Sequence, residues 1–150
     1  MNIEKVSISD AEKLTDLTLK SKAYWNYGEE QMEKWRPELT ITDSYIAKNE
    51  VYKLIIDDEL IAYYAYFSLD KGTVKLDNMF ISPEFIGRGY GKFLMIDFMQ
   101  RVKRSGCTRI ILDADPNARQ FYEKLGFSAV GKIESSISNR FLPVLEKNIS

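Results

Sequence analysis

Phe85–Met95 reads FIGRGYGKFLM, with glycine at three of the five positions from Gly87 to Gly91, directly before a run whose apolar spacing is helical. Glycine loses more backbone entropy on folding than any other residue, so its concentration at a helix start implies a local task. The first turn of a helix has N–H groups without intrahelical partners and a partial positive charge, and glycine lets an anionic group approach with no Cβ in the way. The stretch therefore reads as a cradle for linked phosphates. A Walker A loop would need glycine where Ile86 stands and Ser or Thr where Phe93 stands. A dinucleotide fingerprint would need glycine at Lys92 and a tight strand-to-helix turn in place of SPEFI, Ser82–Ile86. Neither fits. The bland alternative is a turn that only lets a helix pack closely, and alternate glycines flanked by Arg88 and Lys92 count against it.

Working outward, NIEKVS (Asn2–Ser7) alternates like a short strand, and Ser9 or Asp10 caps a helix running to about Leu19, with Leu14 and Leu17 inward. SKAYWNYGEEQMEKW (Ser21–Trp35) breaks near Asn26–Gly28, ahead of a second helix that ends by Pro37. VYKLIID (Val51–Asp57) and LIAYYAYFSL (Leu60–Leu69) predict a hairpin turning through Asp57, Asp58 and Glu59. TVKLDNMFIS (Thr73–Ser82) is a third strand after the Lys71-Gly72 turn, stopped by Pro83. From Gly89 to about Arg104 a helix presents Phe93, Leu94, Phe98 and Val102, broadened by Ile96 and Met99, and Gly106 ends it. RIILDA (Arg109–Ala114) is a buried strand, and Asp115-Pro116 caps a helix bearing Ala118, Phe121, Tyr122 and Leu125, with Gly126 as its stop. FSAVGKIE and RFLPVLEKNI supply two more strands, with a bulge or a lost ladder bond expected at Pro143. This order predicts a mixed α/β sandwich, not alternating Rossmann units.

At 150 residues with 45% hydrophobic content, the chain is expected to form one domain, 1–150, around a proper core. Lys+Arg number 21 against 22 Asp+Glu, so no global field draws nucleic acid or an anionic membrane, and any basic site is local. No run reaches the roughly 18 apolar residues of a membrane helix. A single cysteine, Cys107, excludes an internal disulfide framework, and MNIEKVSISD is not signal-like, so the expected location is cytoplasmic. With no histidine, the Ser/His/Asp triad, the Cys/His pair and histidine zinc sites are excluded, and no metal site is expected. Catalysis must use carboxylates, tyrosines or backbone.

The run LDNMFISPEFIGRGYGKFLM, followed further on by DPNARQFYEKLGF, resembles the GNAT superfamily of acetyl-CoA-dependent N-acetyltransferases. The likeness covers at least Thr73–Phe127, and the element order extends it to most of the chain. IGRGYG (Ile86–Gly91) is similar to the superfamily's Gln/Arg-x-x-Gly-x-Gly/Ala loop, with Ile86 at the Gln/Arg position as a departure. Asn117, Tyr122 and Lys124–Phe127 match the second block, N…Y-x-K-x-G-F, throughout. The resemblance implies a single-domain mixed sheet of about seven strands, with helices on both faces and splayed central strands. It also implies acetyl-CoA as co-substrate, and direct attack by an amine in a ternary complex, so Cys107 need not participate.

That chemistry requires a neutral nucleophile, a site for developing negative charge on oxygen, and a proton for the departing thiolate. By the resemblance, Tyr122 is the general acid, and the backbone N–H groups around Phe80 and Ile81 receive the thioester oxygen. The main-chain donors of Arg88, Gly89, Tyr90, Gly91 and Lys92 take the pyrophosphate. Arg88, Lys92 and Arg119 balance the remaining phosphate charge, and Asn117 contacts pantetheine or phosphate. The residues themselves leave alternatives open: Tyr122 at this spacing also suits core packing beside Phe121, Asn117 an ordinary first-turn position, and Arg119 solvent. Asp77, on a strand face with Lys75, Met79 and Ile81, is the candidate base or a solvated charge, with Glu84 in reserve.

On the acceptor side, Trp25 and Tyr27, with Tyr24 and Trp35, would form an aromatic wall, and Glu29, Glu30 and Glu33 would attract a cationic amine; core packing is the rival for each aromatic. Tyr64, between Tyr63 and Tyr66, and Arg140 are further candidate substrate contacts. A small-molecule primary amine is the expected partner, with no nucleic acid or membrane, and a homodimer is left open. The alternative function is a GNAT-like module that binds acyl-CoA without catalysis, which Ile86 favours. An unrelated phosphate-binding domain is the third class.

Overall fold

The chain is described by a computed structural model covering residues 1–25, 27–134 and 141–149. Among these the strands are β1 (Asn2–Lys5), β2 (Glu50–Ile56), β3 (Glu59–Asp70), β4 (Thr73–Ile81), β5 (Arg109–Asp113), β6 (Ser128–Glu134) and β7 (Phe141–Asn148). The helices are α1 (Ala11–Ala23), α2 (Glu29–Leu39), α3 (Asp43–Lys48), α4 (Tyr90–Arg104) and α5 (Arg119–Lys124). The seven strands form one mixed sheet in the order β1-β2-β3-β4-β5-β7-β6. The predicted α/β class with about seven strands is what the chain adopts. It packs as two compact units, Met1–Tyr66 with Asn78–Met95, and Phe67–Asp77 with Ile96–Ser150. Among the described residues no helix is long and apolar enough to cross a membrane.

In the first unit β1, β2 and β3 are antiparallel neighbours. The hairpin turn is Asp57-Asp58, both at positive φ (50° and 63°), while Glu59, expected in the turn, already pairs with Ile56. Helix α1 starts where Ser7 N–H donates to Asp10 Oδ2 at 2.9 Å, and it continues to Ala23, a turn beyond the expected end. Lys53 Nζ reaches the same oxygen at 2.9 Å, and both side chains are largely buried. Burial alone would raise the Asp10 carboxyl, but the Lys53 ammonium and the Ser7 N–H outweigh it and hold the group below its ordinary value. Val6, Leu14, Leu17, Ile41, Ile46 and Val51 form a core with Tyr63 and Ala65, against which Phe80 packs.

Two helical expectations change here. Pro37 lies inside α2 instead of ending it. It sits in the last turn, so its missing N–H removes one bond near a frayed end and the helix carries on to Leu39. Helix α3 has no counterpart in the sequence reading; Thr42 caps it by accepting from Tyr45 N–H at 3.0 Å.

In the second unit β4 pairs in parallel with β5, Thr73–Leu76 against Arg109–Leu112, and β4 then runs on through Asp77–Ile81. β7 lies between β5 and β6, antiparallel to both. The irregularity expected at Pro143 falls instead on β6, where the register shifts between Ala129 and Gly131. The Pro143 carbonyl accepts from Ala114 N–H at 2.9 Å, while its ring nitrogen has no hydrogen to give to the ladder. Cys107 is buried, its Sγ 3.1 Å from the Arg109 carbonyl.

Along α4 the buried apolar side chains are Leu94, Met95, Phe98 and Val102, while Phe93 and Ile96 are each 39% exposed. The sequence reading placed both inward. At about 100° per residue they lie roughly 150° from the centre of the buried stripe, so one helix face cannot hold all six.

Candidate active site

In the first unit the chain leaves β4 through a short 3-10 turn, Pro83–Phe85, and enters the glycine loop. Gly87 and Gly89 have φ of 82° and 86°, a region that only glycine occupies without strain. A Cβ built at either position would meet nothing within 4 Å, so the surface beside the loop is open. The first backbone bond of α4 runs from Phe93 N–H to the Gly89 carbonyl at 3.1 Å. The amides of Tyr90, Gly91 and Lys92 therefore precede the helical ladder and sit at its positive end. Arg88 lies with its guanidinium 5.5 Å over the Phe85 ring, and Phe85 meets Tyr90 edge-on at 5.7 Å, which fastens the loop to the turn before it. Ile86 is half-buried.

Phe80 and Ile81 are half-buried near the end of β4, and the next residue is anchored by Ser82 N–H to the Ile61 carbonyl at 2.7 Å. A polar chain missed in the sequence lies behind them. Thr18 donates to the Leu14 carbonyl at 2.7 Å, so the Tyr63 hydroxyl donates to Thr18 and accepts from Asn78 Nδ2 at 3.5 Å. The only sequence signal was the polar pair of Thr18 and Asn78 at positions otherwise facing the core. Glu84 is exposed and accepts from Ser82 Oγ at 3.0 Å. A cleft of about 310 Å³ opens nearby, lined by charges of both signs, among them Lys13, Asp16, Lys20, Asp58 and Glu84.

Of the acceptor-side candidates, Trp25 is 43% exposed and pairs edge-on with Tyr24 at 5.1 Å. Tyr27 and Trp35 also pair edge-on, at 4.7 Å, and Lys22 Nζ lies 5.1 Å and 4.8 Å from their ring centres. This pair already faces a cation of the chain itself. Tyr64 is fully buried, stacked on Tyr52 at 5.5 Å and Tyr66 at 6.1 Å, and of the β3 tyrosines it is Tyr66 that is half-buried. Arg140 lies outside the described residues.

In the second unit Asp115 caps the turn before α5 by accepting from Asn117 N–H at 2.9 Å, and Asn117 is exposed. Arg119 reaches Glu123 at 3.5 Å along α5 and is about half-exposed. Tyr122 is 8% exposed, edge-on to Phe121 at 5.1 Å and to Phe127 at 5.8 Å. Burial, and then the Asp115 charge, push its phenol well above the ordinary value, so it stays protonated. Asp77 is exposed, two residues from Lys75, which pairs with Asp113 at 2.8 Å.

Residues 13–127 match the sequence profile of the Acetyltransferase (GNAT) family, which is well over half of the chain. The chain belongs to the GNAT family. Among GNAT relatives it is 37% identical over 54 residues to a glucosamine 6-phosphate N-acetyltransferase of Trypanosoma brucei brucei, a match covering 36% of this chain and 37% of that protein. It is 27% identical over 94 residues to the uncharacterized N-acetyltransferase YvbK of Bacillus subtilis, covering 61% of each. The chain thus spans less than two thirds of the length of these curated relatives. Its fold matches the crystal structure of PaiA N-acetyltransferase from Thermoplasma acidophilum in complex with coenzyme A, with a TM-score of 0.80 over 99% of both chains at 22% identity.

Proposed function

We propose that residues 1–150 act as one acetyltransferase domain that moves an acetyl group from acetyl-CoA to a primary amine, the acceptor being a small molecule. The observation that carries this reading is the start of α4: left-handed Gly87 and Gly89, each with open space beside it, lead into the amides of Tyr90, Gly91 and Lys92, ahead of the first helical bond. Such a set of donors suits a phosphate or diphosphate group. The GNAT relative solved with coenzyme A supports the same ligand. Because these donors are main-chain, isoleucine at position 86 weakens the grip without removing it.

Acetyl-CoA, when bound, supplies an activated acetyl thioester. The chain's own groups do the rest. Arg88–Lys92 hold the diphosphate, with Arg88 and Lys92 balancing its charge and Arg119 and Asn117 as further contacts along the coenzyme. The amides of Phe80 and Ile81 accept the developing negative charge on the thioester oxygen. Tyr122 donates to the leaving sulfur, and its buried, protonated phenol suits that task. Asp77 takes the proton of an ammonium whose ordinary pKa is about 10. Trp25, Tyr27, Tyr64 and Arg140 remain the proposed acceptor contacts, with Trp25 the most exposed of the described three. A small acceptor accords with the amino sugar phosphate in the name of the trypanosomal relative.

The test is thiol release from acetyl-CoA with a panel comprising glucosamine 6-phosphate, an aminoglycoside, a linear diamine and an N-terminal alanine peptide. Turnover of a small amine, slowed at least tenfold in Tyr122→Phe, is the expected result. Ile86 favours the second reading, an acyl-CoA-binding module: there acetyl-CoA raises the melting temperature and no amine releases thiol.

A further inference from the structure

The geometry points to Lys147 as a positioning residue for Tyr122. Lys147 lies on β7, in register with Ile110 of β5, and is half-buried. Its ammonium donates to a main-chain carbonyl, that of Leu125, at 2.6 Å. Lys75, Arg101, Arg109 and Arg119 of the same unit face carboxylates instead. A charged donor on an end-of-helix carbonyl makes a stronger bond than a neutral one and satisfies a group the helix leaves without a partner.

The contact falls where the chain turns out of α5. The Tyr122 carbonyl accepts from Leu125 N–H at 3.0 Å and from Phe127 N–H at 3.2 Å, and Gly126 N–H donates to the Glu123 carbonyl at 3.1 Å. Gly126 has φ of 96°, and a Cβ there would lie 2.9 Å from Lys147 Nζ and 3.2 Å from its Cε. The lysine thus occupies the space that a side chain at 126 would take. Glycine in KLGF answers two demands at once, a left-handed backbone and room for a cation arriving from β7. Phe127, placed by the same turn, is one of the two rings that flank Tyr122. Lys147 therefore fixes the carbonyl end of the turn that carries the phenol and one wall of its pocket, without touching the reacting atoms.

This inference rests on Tyr122 donating to the leaving sulfur, so four proteins are compared: wild type, Lys147→Met, Tyr122→Phe and the double variant. Methionine keeps most of the stem and removes the donor. Thiol release is followed with the panel amine that turns over fastest. A small displacement of a reacting group costs one to two powers of ten, so Lys147→Met is expected to lower kcat about tenfold. Its KM for acetyl-CoA should stay within about twofold, and it should cause no further loss of kcat in the Tyr122→Phe background. Wild-type kcat in Lys147→Met, or an equal loss in both backgrounds, overturns the positioning role. Undiminished turnover in Tyr122→Phe alone, or no turnover with any amine, instead removes the donor reading on which it rests. Should Lys147→Met not fold, Lys147→Gln removes the charge and shortens the reach toward the Leu125 carbonyl while keeping a polar head. The same kcat loss at unchanged KM is expected, and wild-type kcat in that variant also overturns the role.

Discussion

Gly89→Ala separates conformational strain from crowding at the proposed diphosphate loop. In the free protein a Cβ at position 89 meets nothing within 4 Å, so the cost there is conformational, φ of 86° placing alanine in the left-handed region. That conformation costs an L-residue about 1–2 kcal/mol. If the variant retains the loop, stability falls by this amount; if the loop relaxes in the free protein, binding must restore it and coenzyme affinity falls by roughly 5- to 30-fold. The backbone angle sets the least that the two losses sum to, and contact between the new methyl and the diphosphate adds to the affinity part. Gly131→Ala is the control, because its Cβ also meets nothing and no positive φ applies. Calorimetric titration with coenzyme A, paired with urea unfolding of the free protein, reads both parts. Should Gly89→Ala match wild type in affinity and in unfolding free energy, the loop does not hold the described geometry when it binds.

Lys53→Met leaves the largely buried Asp10 carboxylate without its cation and is expected to cost about 2 kcal/mol in urea unfolding at pH 7, a partly exposed version of a broken buried pair. Because the folded Asp10 pKa is depressed, wild type holds this stability above about pH 4 and loses it as pH falls through the lower folded value, so the gap between wild type and variant should close in acid. A gap that stays constant down to pH 2 contradicts the pairing. With the Tyr122 phenol raised, kcat should show no alkaline loss from this residue up to pH 10, and a limb near or below pH 10 that vanishes in Tyr122→Phe would show an unshifted phenol.

What the sequence disclosed was local in origin. The glycine loop and the Asp115–Phe127 block are set by neighbours in the chain, so a glycine-rich helix start at Gly87–Gly91, a Pro116 helix start and a Gly126 stop could be read from letters alone. The six-residue α3 is too short to show a period, and only its Thr42 cap marks it. Phe93 and Ile96 were misplaced because apolar residues crowd both sides of α4, and hydrophobicity does not say which side meets the core. The aromatic cluster of Ser21–Trp35 was visible as composition, but that Lys22 would lie against Tyr27 and Trp35 depends on a side chain's path through space. Lys147 escaped notice for the same reason, since its partner carbonyl at Leu125 lies on another element.

For Tyr122 the packing in the structure and the proposed donor role draw on the same property. An ordinary phenol, near 10, is already a weaker acid than an ordinary thiol near 8.5, and burial followed by the Asp115 charge widens the gap. Handing its proton outright to a free thiolate is therefore uphill by at least about 2 kcal/mol. Donating a hydrogen bond while charge gathers on sulfur has no such cost, and with a charged acceptor it contributes about 1.5–3 kcal/mol, enough for a tenfold to hundredfold effect on rate. On the proposed mechanism the thiolate is then neutralised by the proton that the amine nitrogen releases as it bonds to the acetyl carbon, with exposed Asp77 as the proposed carrier. Burial between Phe121 and Phe127 disfavours the ionised phenol, and a neutral phenol is what the proposed donor role requires.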